Sequence, residues 1–229
     1  MKVFQAFNLF RYFFRRFYLM SGERGTFSAA GYFLRSAFDR ADNFMLERAS
    51  FARESVKRGK KQESARGLLT YSEFRKVKKL DSYYRARWSY FSAALDIIKK
   101  EPHGKVLELG PRSAPLVKGS DIMDIYRHGP RITYIHDAKN TPWPQRDKEY
   151  DMFIGLQVWE HLGDRQKDAF KEVMRIARSA VISFPYKRYS PEDCHHNIDE
   201  HIINEWTLGL MPERVVKRGP VIVYFFRFG

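Results

Sequence analysis

Acidic residues stand at the ends of three neighbouring apolar segments in the second half of this sequence. Glu108 lies near the end of the first segment, Asp124 ends the second, and Asp137 follows the third. A carboxylate at the end of a buried strand can accept hydrogen bonds from both hydroxyls of a ribose, and one on the next strand can reach the edge of an adenine. A carboxylate inside a buried strand, as at Glu108, is costly unless a ligand cation or hydrogen-bond donors meet it. The spacing therefore indicates a site for an adenosine.

The elements that must position these acids alternate between strands and helices from Lys105 onwards. Strands buried on both faces and separated by helices predict an α/β fold with an open, Rossmann-like, mainly parallel sheet. The last two strands are close enough to form an antiparallel C-terminal hairpin. We predict seven strands, at 105–109, 121–125, 131–136, 151–158, 180–184, 215–217 and 221–228, and helices at 165–178 and 197–208.

The turn after the first strand is the expected ligand position, because ligands of open α/β sheets bind outside the carboxyl ends of the strands. Gly110 stands in this turn and permits close approach of a ligand to the backbone. Only residues 111–120 separate the first two strands, fewer than the dozen or so that a helical crossover needs. The first crossover helix is therefore expected to be reduced to a turn or lost.

The run from Lys105 to Pro185 resembles the class I S-adenosylmethionine-dependent methyltransferases, in the broad group that modifies small molecules, lipids, quinones and glycans. One departure is that Arg112 and Ser113 replace further glycines of the family's turn. The resemblance rests on Val-Leu-Glu-Leu-Gly-Pro at 106–111, Asp124, His-Asp-Ala at 136–138, Trp-Pro at 143–144, Tyr-Asp at 150–151, Glu-His-Leu at 160–162 and Glu-Val-Met-Arg-Ile-Ala at 172–177.

The resemblance implies S-adenosyl-L-methionine as the cofactor and suggests which residues contact each part of it. These are Glu108 and Gly110 with Pro111 beside the methionine part, Asp124 at the ribose hydroxyls, Asp137 at the adenine amino group, Ala138 against the ring, and Gln157 and Val158 lining the cofactor at the end of the fourth strand.

Methyl transfer to a hydroxyl requires a base, and histidine is the natural base near neutral pH. His161 follows the fourth strand and His196 lies in the loop after the fifth, on the same edge of the predicted sheet. We predict these two as catalytic candidates, with Glu160 orienting a base or the substrate. His195 and His201 are weaker candidates, and for each histidine a purely structural role stays open. No metal site is indicated.

The acceptor is predicted by exclusion. Enzymes of this fold that methylate adenine or cytosine nitrogen carry an Asn/Asp-Pro-Pro-aromatic motif where this chain has the residues 157–160, Gln-Val-Trp-Glu. We therefore expect an O-methyltransferase acting on a glycan, a lipid-linked sugar or a related small metabolite. Two alternatives stay open: an RNA-directed methyltransferase, and a non-catalytic scaffold that retains the fold.

The positive charge of the chain is concentrated in its first part. The chain carries a net charge of +14, and residues 1–100 hold 22 Lys and Arg against nine Asp and Glu. Such a block can bind nucleic acid, anionic lipid or an acidic protein. We predict a basic helical extension over residues 1–81 and the methyltransferase domain over 82–229, whose first helix spans 82–100.

The first 20 residues place aromatic side chains on one face of a predicted helix with arginines beside them. Such a helix suits the surface of an anionic membrane, but the same apolar face can pack on the protein itself or on a second subunit. No segment of the sequence is apolar enough to span a bilayer. The single cysteine, Cys194, cannot form an internal disulfide, which indicates a reducing compartment or at least a fold that needs no disulfides. We expect a cytoplasmic protein, peripheral at a membrane, and leave its oligomeric state open.

Overall fold

A computed structural model describes residues 67–76, 82–112, 114–127, 132–187 and 195–229, with the backbone alone for 82–86. The chain divides into two units, Met1–Leu46 and Glu47–Gly229, and every described residue belongs to the second. The helices predicted within residues 3–59 and the position of Cys194 lie outside the described residues. No helix among the described residues is long and apolar enough to cross a membrane.

The described residues form a seven-stranded sheet with the order β3-β2-β1-β4-β5-β7-β6. Strands β1 to β5 are parallel, whereas β7 pairs antiparallel with both β5 and β6. The predicted mixed sheet with its antiparallel C-terminal hairpin is therefore confirmed. The elements are α1 Tyr71–Lys76, α2 Ser82–Ile98, β1 Val106–Leu109, β2 Asp121–Asp124, β3 Tyr134–Ile135, β4 Met152–Leu156, a 3-10 turn Trp159–His161, α3 Gln166–Ile176, β5 Ser179–Pro185, α4 Glu200–Trp206, β6 Arg214–Arg218 and β7 Val221–Arg227.

The sheet is covered on both faces. Helix α2 presents Trp88, Leu95 and Ile98 to one face, and each is fully buried. On the opposite face α3 buries Phe170 and Val173, at the three-residue spacing that puts side chains on one side of a helix. Double coverage explains why all seven residues of β5 are buried.

Residues 67–76 pack against the sheet domain. Phe74 on α1 meets the rings of Trp88 and Phe91, with centroids 5.1 and 5.5 Å apart. Leu69 N–H donates to Leu116 O at 2.8 Å. Helix α1 begins with a capping box, in which Thr70 N–H donates to the Glu73 carboxylate and Glu73 N–H donates to Thr70 Oγ1. The packed body thus reaches back to Gly67, and the domain boundary at 81/82 stays a prediction.

The parts of the sheet nearest the predicted site are the least regular. The described residues between β1 and β2 contain no helix, which confirms the expected loss of the first crossover helix. Strand β3 was expected over 131–136 but covers only Tyr134–Ile135. It is an edge strand, and Ile135 is 55% exposed, so few contacts are available to extend it.

Candidate functional site

The carboxyl ends of β1, β2 and β3 are joined by backbone hydrogen bonds at one edge of the sheet. Gly110 N–H donates to Met123 O at 2.9 Å, which sets the turn after β1 beside the end of β2. His136 N–H donates to Asp124 O at 3.0 Å, which fixes the start of the next loop beside Asp124. Gly110, Asp124 and the segment 136–138 are therefore neighbours on one rim, as the sequence predicted.

A small cavity of about 20 Å³ opens beside Gly110. It lies at the neighbouring strands β1 and β4, where the strand order reverses: β2 follows on the far side of β1, and β5 on the far side of β4. Gly110 has a φ of +60°, a conformation that favours glycine. A Cβ atom at this position would lie 3.3 Å from Val158 Cγ2, so a side chain would press on the end of β4. The cavity is lined by Arg87, Phe91, Glu108, Leu109, Gly110, Pro111, Ala114, Leu116, Ile154 and Leu156.

The Glu108 carboxylate holds the loop that follows Gly110. One oxygen accepts from Leu116 N–H at 2.7 Å, and the other accepts from Val117 N–H and Ser120 Oγ at 2.8 Å each. The side chain is fully buried, and this burial raises the pKa of Glu108 to about 7 against the opposing effect of the three donors. The donors that a buried carboxylate requires thus come from the chain itself, and Glu108 replaces the missing helix as the support of this loop.

The next two acids lie on the rim. Asp124 is 7% exposed at the end of β2. Asp137 is half-buried, and its Oδ1 accepts from Lys139 N–H at 3.0 Å, which tightens the turn after β3. Ala138 is buried, and its carbonyl accepts from Trp143 Nε1 at 3.0 Å. Two carboxylates and a small apolar residue thus occupy successive positions along one edge.

Side chains of α3 that belong to the motif at 172–177 bind the loop containing Trp143, which follows the rim residue Ala138 in the chain. Glu172 Oε2 accepts from Trp143 N–H at 2.7 Å. Arg175 donates to Trp143 O at 3.0 Å and to Gln145 O at 2.8 Å, and it pairs with Glu172 at 2.6 Å. These two side chains therefore position the wall behind Ala138.

The chain turns sharply at the end of β4. Gln157 adopts a φ of +55°, which is unusual for a residue with a side chain. Its N–H donates to Ser183 Oγ at 3.0 Å, and its amide Nε2 donates to the same oxygen at 3.3 Å. Ser183 on β5 thus stabilises the strained turn and fixes Gln157 at the carboxyl end of β4, with Val158 directly after it.

The candidate catalytic residues differ in their access to solvent. Glu160 is buried, whereas His161 is exposed at the end of the 3-10 turn. His196 is half-buried in the segment after β5, and His201 is exposed on α4. His161 follows the carboxyl end of β4, and His195 and His196 follow that of β5, whereas His201 lies within α4.

His195 has a structural environment. Its Nε2 contacts Gly163 O and lies 2.8 Å from Gln166 Nε2. Its ring packs edge-on against Trp206, with centroids 5.0 Å apart. His195 therefore ties the segment after β5 to the start of α3. Within the described ranges, no three His, Cys, Asp or Glu side chains come together as a group suited to a metal ion.

Sequence reasoning missed Arg87, which lines the cavity from α2. The helix itself was predicted, but the spacing of its apolar residues identifies only the side chains that face the sheet. The direction of the chain could have revealed it. The end of α2 leads into the amino end of β1, so the beginning of α2 is expected near the carboxyl ends of the strands.

No known protein-family model matches the chain, and no curated protein is similar to it in sequence. Solved structures are similar in fold. The 16S rRNA methylase RmtB has 14% identity and a TM-score of 0.50 over 80% of this chain and 74% of its own. The PH0226 protein of Pyrococcus horikoshii OT3 has 15% identity and a TM-score of 0.51 over 69% and 98%. A SAM-dependent methyltransferase of Aquifex aeolicus has 15% identity and a TM-score of 0.47 over 66% and 96%. With the strand order, the likenesses to RmtB and to the PH0226 protein show the class I S-adenosylmethionine-dependent methyltransferase fold.

Proposed function

We propose that this chain is an S-adenosylmethionine-dependent methyltransferase that binds its cofactor across the carboxyl ends of β1 to β4. The observation that carries the proposal is the single rim on which Gly110, Asp124 and Asp137 are joined through backbone hydrogen bonds. The small cavity beside Gly110 adjoins this rim at Gly110 and Pro111, and Asp124 and Asp137 lie outside its lining. A carboxylate, a second carboxylate and an open backbone turn match the chemistry of ribose hydroxyls, an adenine amino group and a methionine tail.

In this proposal each residue of the rim contacts a different part of the cofactor. Asp124 accepts the ribose hydroxyls, Asp137 accepts the adenine amino group, and Ala138 packs near the ring. Gly110 and Pro111 border the methionine part, while Gln157 and Val158 close the side formed by β4. Glu108 acts indirectly as a positioning residue, because its carboxylate oxygens already accept from the 114–120 loop.

The bound cofactor supplies an electrophilic methyl group on a sulfonium. The acceptor we favour is a hydroxyl of a glycan, a lipid-linked sugar or a small metabolite. Exposed His161 is suited to removing its proton, and His196 is the second candidate, since both follow carboxyl ends of strands. Glu160 is buried and therefore suited to orienting a neighbour rather than meeting solvent.

Cofactor binding is tested by calorimetry with S-adenosylhomocysteine. We expect the wild-type chain to bind and Asp124→Asn to bind about 10- to 100-fold more weakly, because a hydrogen bond to a charged group is lost. Asp168→Asn is the matched control, since Asp168 pairs with Arg165 and Lys171 on α3. A wild-type chain that binds no S-adenosylhomocysteine would sink the proposal.

The acceptor is sought with methyl-labelled S-adenosylmethionine and separately prepared lipid, glycan, metabolite and RNA fractions. We expect label in one of the first three, with the rate reduced about 100-fold or more by His161→Gln or His196→Gln. His201→Gln, on the exposed side of α4, should leave the rate unchanged. Equal rates for all three variants would exclude His161, His196 and His201 as the base.

An RNA-directed methyltransferase is the second candidate, and the charge of the chain favours it. The 22 basic residues among the first 100 can form an electrostatic grip on phosphates. This candidate predicts label in the RNA fraction and RNA binding that weakens steeply with salt. The first candidate predicts that deleting residues 2–20 abolishes binding to anionic vesicles and leaves cofactor binding intact, although those residues lie outside the described part of the chain.

A further inference from the structure

The loop between β1 and β2 forms one wall of the small cavity beside Gly110. Ala114 and Leu116 of this loop line the cavity. The described residues of the loop contain no helix, so the regular backbone hydrogen bonds that a crossover helix would supply are absent. The position of this wall therefore depends on hydrogen bonds between the loop and other parts of the chain.

Leu116 is bonded to two separate parts of the chain. Its N–H donates to Glu108 Oε2 on β1 at 2.7 Å. Its carbonyl oxygen accepts from Leu69 N–H at 2.8 Å. Leu116 is fully buried, so neither backbone group has water as an alternative partner. A residue that lines the cavity is therefore held between a buried carboxylate and a segment that precedes α2 in the chain.

Two further contacts join the same segment to the loop. Leu68 forms an antiparallel bridge with Val117. Lys118 N–H donates to Gly67 O at 2.7 Å, and Gly67 has a φ of +87°, a conformation that favours glycine. Residues 67–69 thus pair with the loop in the way that a neighbouring strand would.

Helix α1 fixes this segment to the sheet domain. Phe74 is buried and packs on Trp88, with ring centroids 5.1 Å apart. The Glu73 carboxylate accepts from Thr70 N–H at the start of the helix and also pairs with Lys118 at 2.7 Å. The segment is therefore held by packing of its own, and its hydrogen bonds set the position of the loop.

We propose that residues 67–76 are a positioning element of the cofactor site. They hold the loop 114–118 in the position that shapes the cavity beside Gly110, where the methionine part of the cofactor binds. This inference rests on the proposed function, because it concerns the same ligand. The described residues 67–76 do not line the cavity, so they act through Leu116 rather than by touching the cofactor. By linkage, bound cofactor must stabilise the pairing of segment and loop by the same factor by which this pairing strengthens cofactor binding.

The first test compares two changes at Leu69 by calorimetry with S-adenosylhomocysteine. Leu69→Pro removes the N–H that donates to Leu116 O, whereas Leu69→Ala shortens the side chain and retains this N–H. We expect Leu69→Pro to bind about 10-fold more weakly than Leu69→Ala, because a backbone hydrogen bond of the loop is lost. Val223→Ala, in the buried interior of β7, is the control for general destabilisation and should bind as wild type does.

The second test measures amide hydrogen exchange in the wild-type chain and needs no variant. Saturating S-adenosylhomocysteine should slow exchange of the Leu69 and Lys118 N–H groups about 10-fold, since both groups donate between segment and loop. Glu213 N–H donates to Phe225 O at the edge of the sheet formed by β6, and its exchange rate should be unchanged.

The inference is overturned if Leu69→Pro and Leu69→Ala bind S-adenosylhomocysteine within about twofold of each other, or if Val223→Ala loses as much affinity as Leu69→Pro. It is also overturned if the ligand leaves exchange at Leu69 and Lys118 unchanged, and this result decides alone if Leu69→Pro does not fold. A wild-type chain that binds no S-adenosylhomocysteine overturns the proposed function itself.

Discussion

The two halves of the sheet are stabilised in different ways. Around β4, β5 and β7 the helices α2, α3 and α4 cover both faces, and aromatic rings interlock: Phe184 lies within 6.4 Å of Trp159, Trp206 and Tyr224 by ring centroid. Around β1, β2 and β3 the described connections contain no helix, and β3 has two residues. The half with the complete layers is the half that does not contain the rim of Gly110, Asp124 and Asp137.

Polar side chains replace the helices in the half formed by β1, β2 and β3. Glu108 holds the 114–120 loop through three hydrogen bonds. Tyr150 OH donates to Asp121 Oδ2 at 2.9 Å and lies within hydrogen-bond distance of Tyr134 OH at 3.3 Å, and so links β2, β3 and the start of β4. Ile122 N–H donates to Thr133 Oγ1 at 3.1 Å. Because this half depends on a few directional hydrogen bonds rather than on covering helices, we expect it to be locally less stable than the aromatic half.

The largest expected effect comes from the aromatic half. Phe184→Ala removes a fully buried ring and should lower the free energy of unfolding by about 3 to 5 kcal/mol. The loss should appear as a cooperative shift of the whole urea transition, because β5 is an interior strand paired on both sides, with β4 and with β7. Val215→Ala, on β6 and 49% exposed, should change stability by less than about 0.5 kcal/mol. If Val215→Ala lowered the free energy of unfolding as much as Phe184→Ala, the expected contrast between buried and peripheral strands would be wrong.

The sequence predicted the aromatic half well because burial on both faces leaves a continuous apolar run. Strand β5 and helix α3 were predicted within two residues of their observed bounds. The rim was predicted from acids at strand ends, since parallel strands bring those ends together. Glu108 is the instructive case: the cost of its burial was evident, but a sequence does not reveal that Leu116, Val117 and Ser120 supply the donors.

The features that sequence reasoning missed depend on contacts distant along the chain. Gln157 tolerates a positive φ because Ser183, on another strand, receives its hydrogen bonds. Arg175 holds the Trp143 loop from 32 residues away. Arg87 reaches the cavity only because α2 runs antiparallel to β1. Local patterns of apolar residues do not predict contacts between side chains so distant along the chain.

The second prediction concerns Glu108. Glu108→Gln turns an amide N–H₂ towards backbone donors, and we expect a loss of about 1 to 3 kcal/mol at pH 5. The pKa of this carboxyl is raised from its ordinary value of 4.5 to about 7 by burial, so the folded state binds the extra proton. Stability from this group is fully present below about pH 4.5 and is lost as the pH rises to about 7, by up to about 3 kcal/mol.

Urea denaturation between pH 4.5 and 8 measures this dependence. The difference in unfolding free energy between wild type and Glu108→Gln should shrink as the pH rises, since only the wild type titrates at this position. Asp96→Asn, exposed on α2, should run parallel to wild type. A difference that is constant across the range would mean that the three donors outweigh burial and keep Glu108 ionised.

The smallest effect is expected at the link between β2, β3 and β4. Tyr150→Phe removes one hydroxyl and should cost about 1 kcal/mol, mostly by local opening. Burial of the Tyr150 hydroxyl raises its pKa, so it remains a donor at any ordinary pH. Amide hydrogen exchange should speed up about fivefold at Thr133 and His136, whose N–H groups pair with β2, and remain unchanged along β5 and β7. Tyr224→Phe, on β7, should leave exchange at Thr133 and His136 unaltered. If Tyr150→Phe instead loosens β5 and β7 equally, the two halves open as one unit, and the site does not rest on a separately fragile edge.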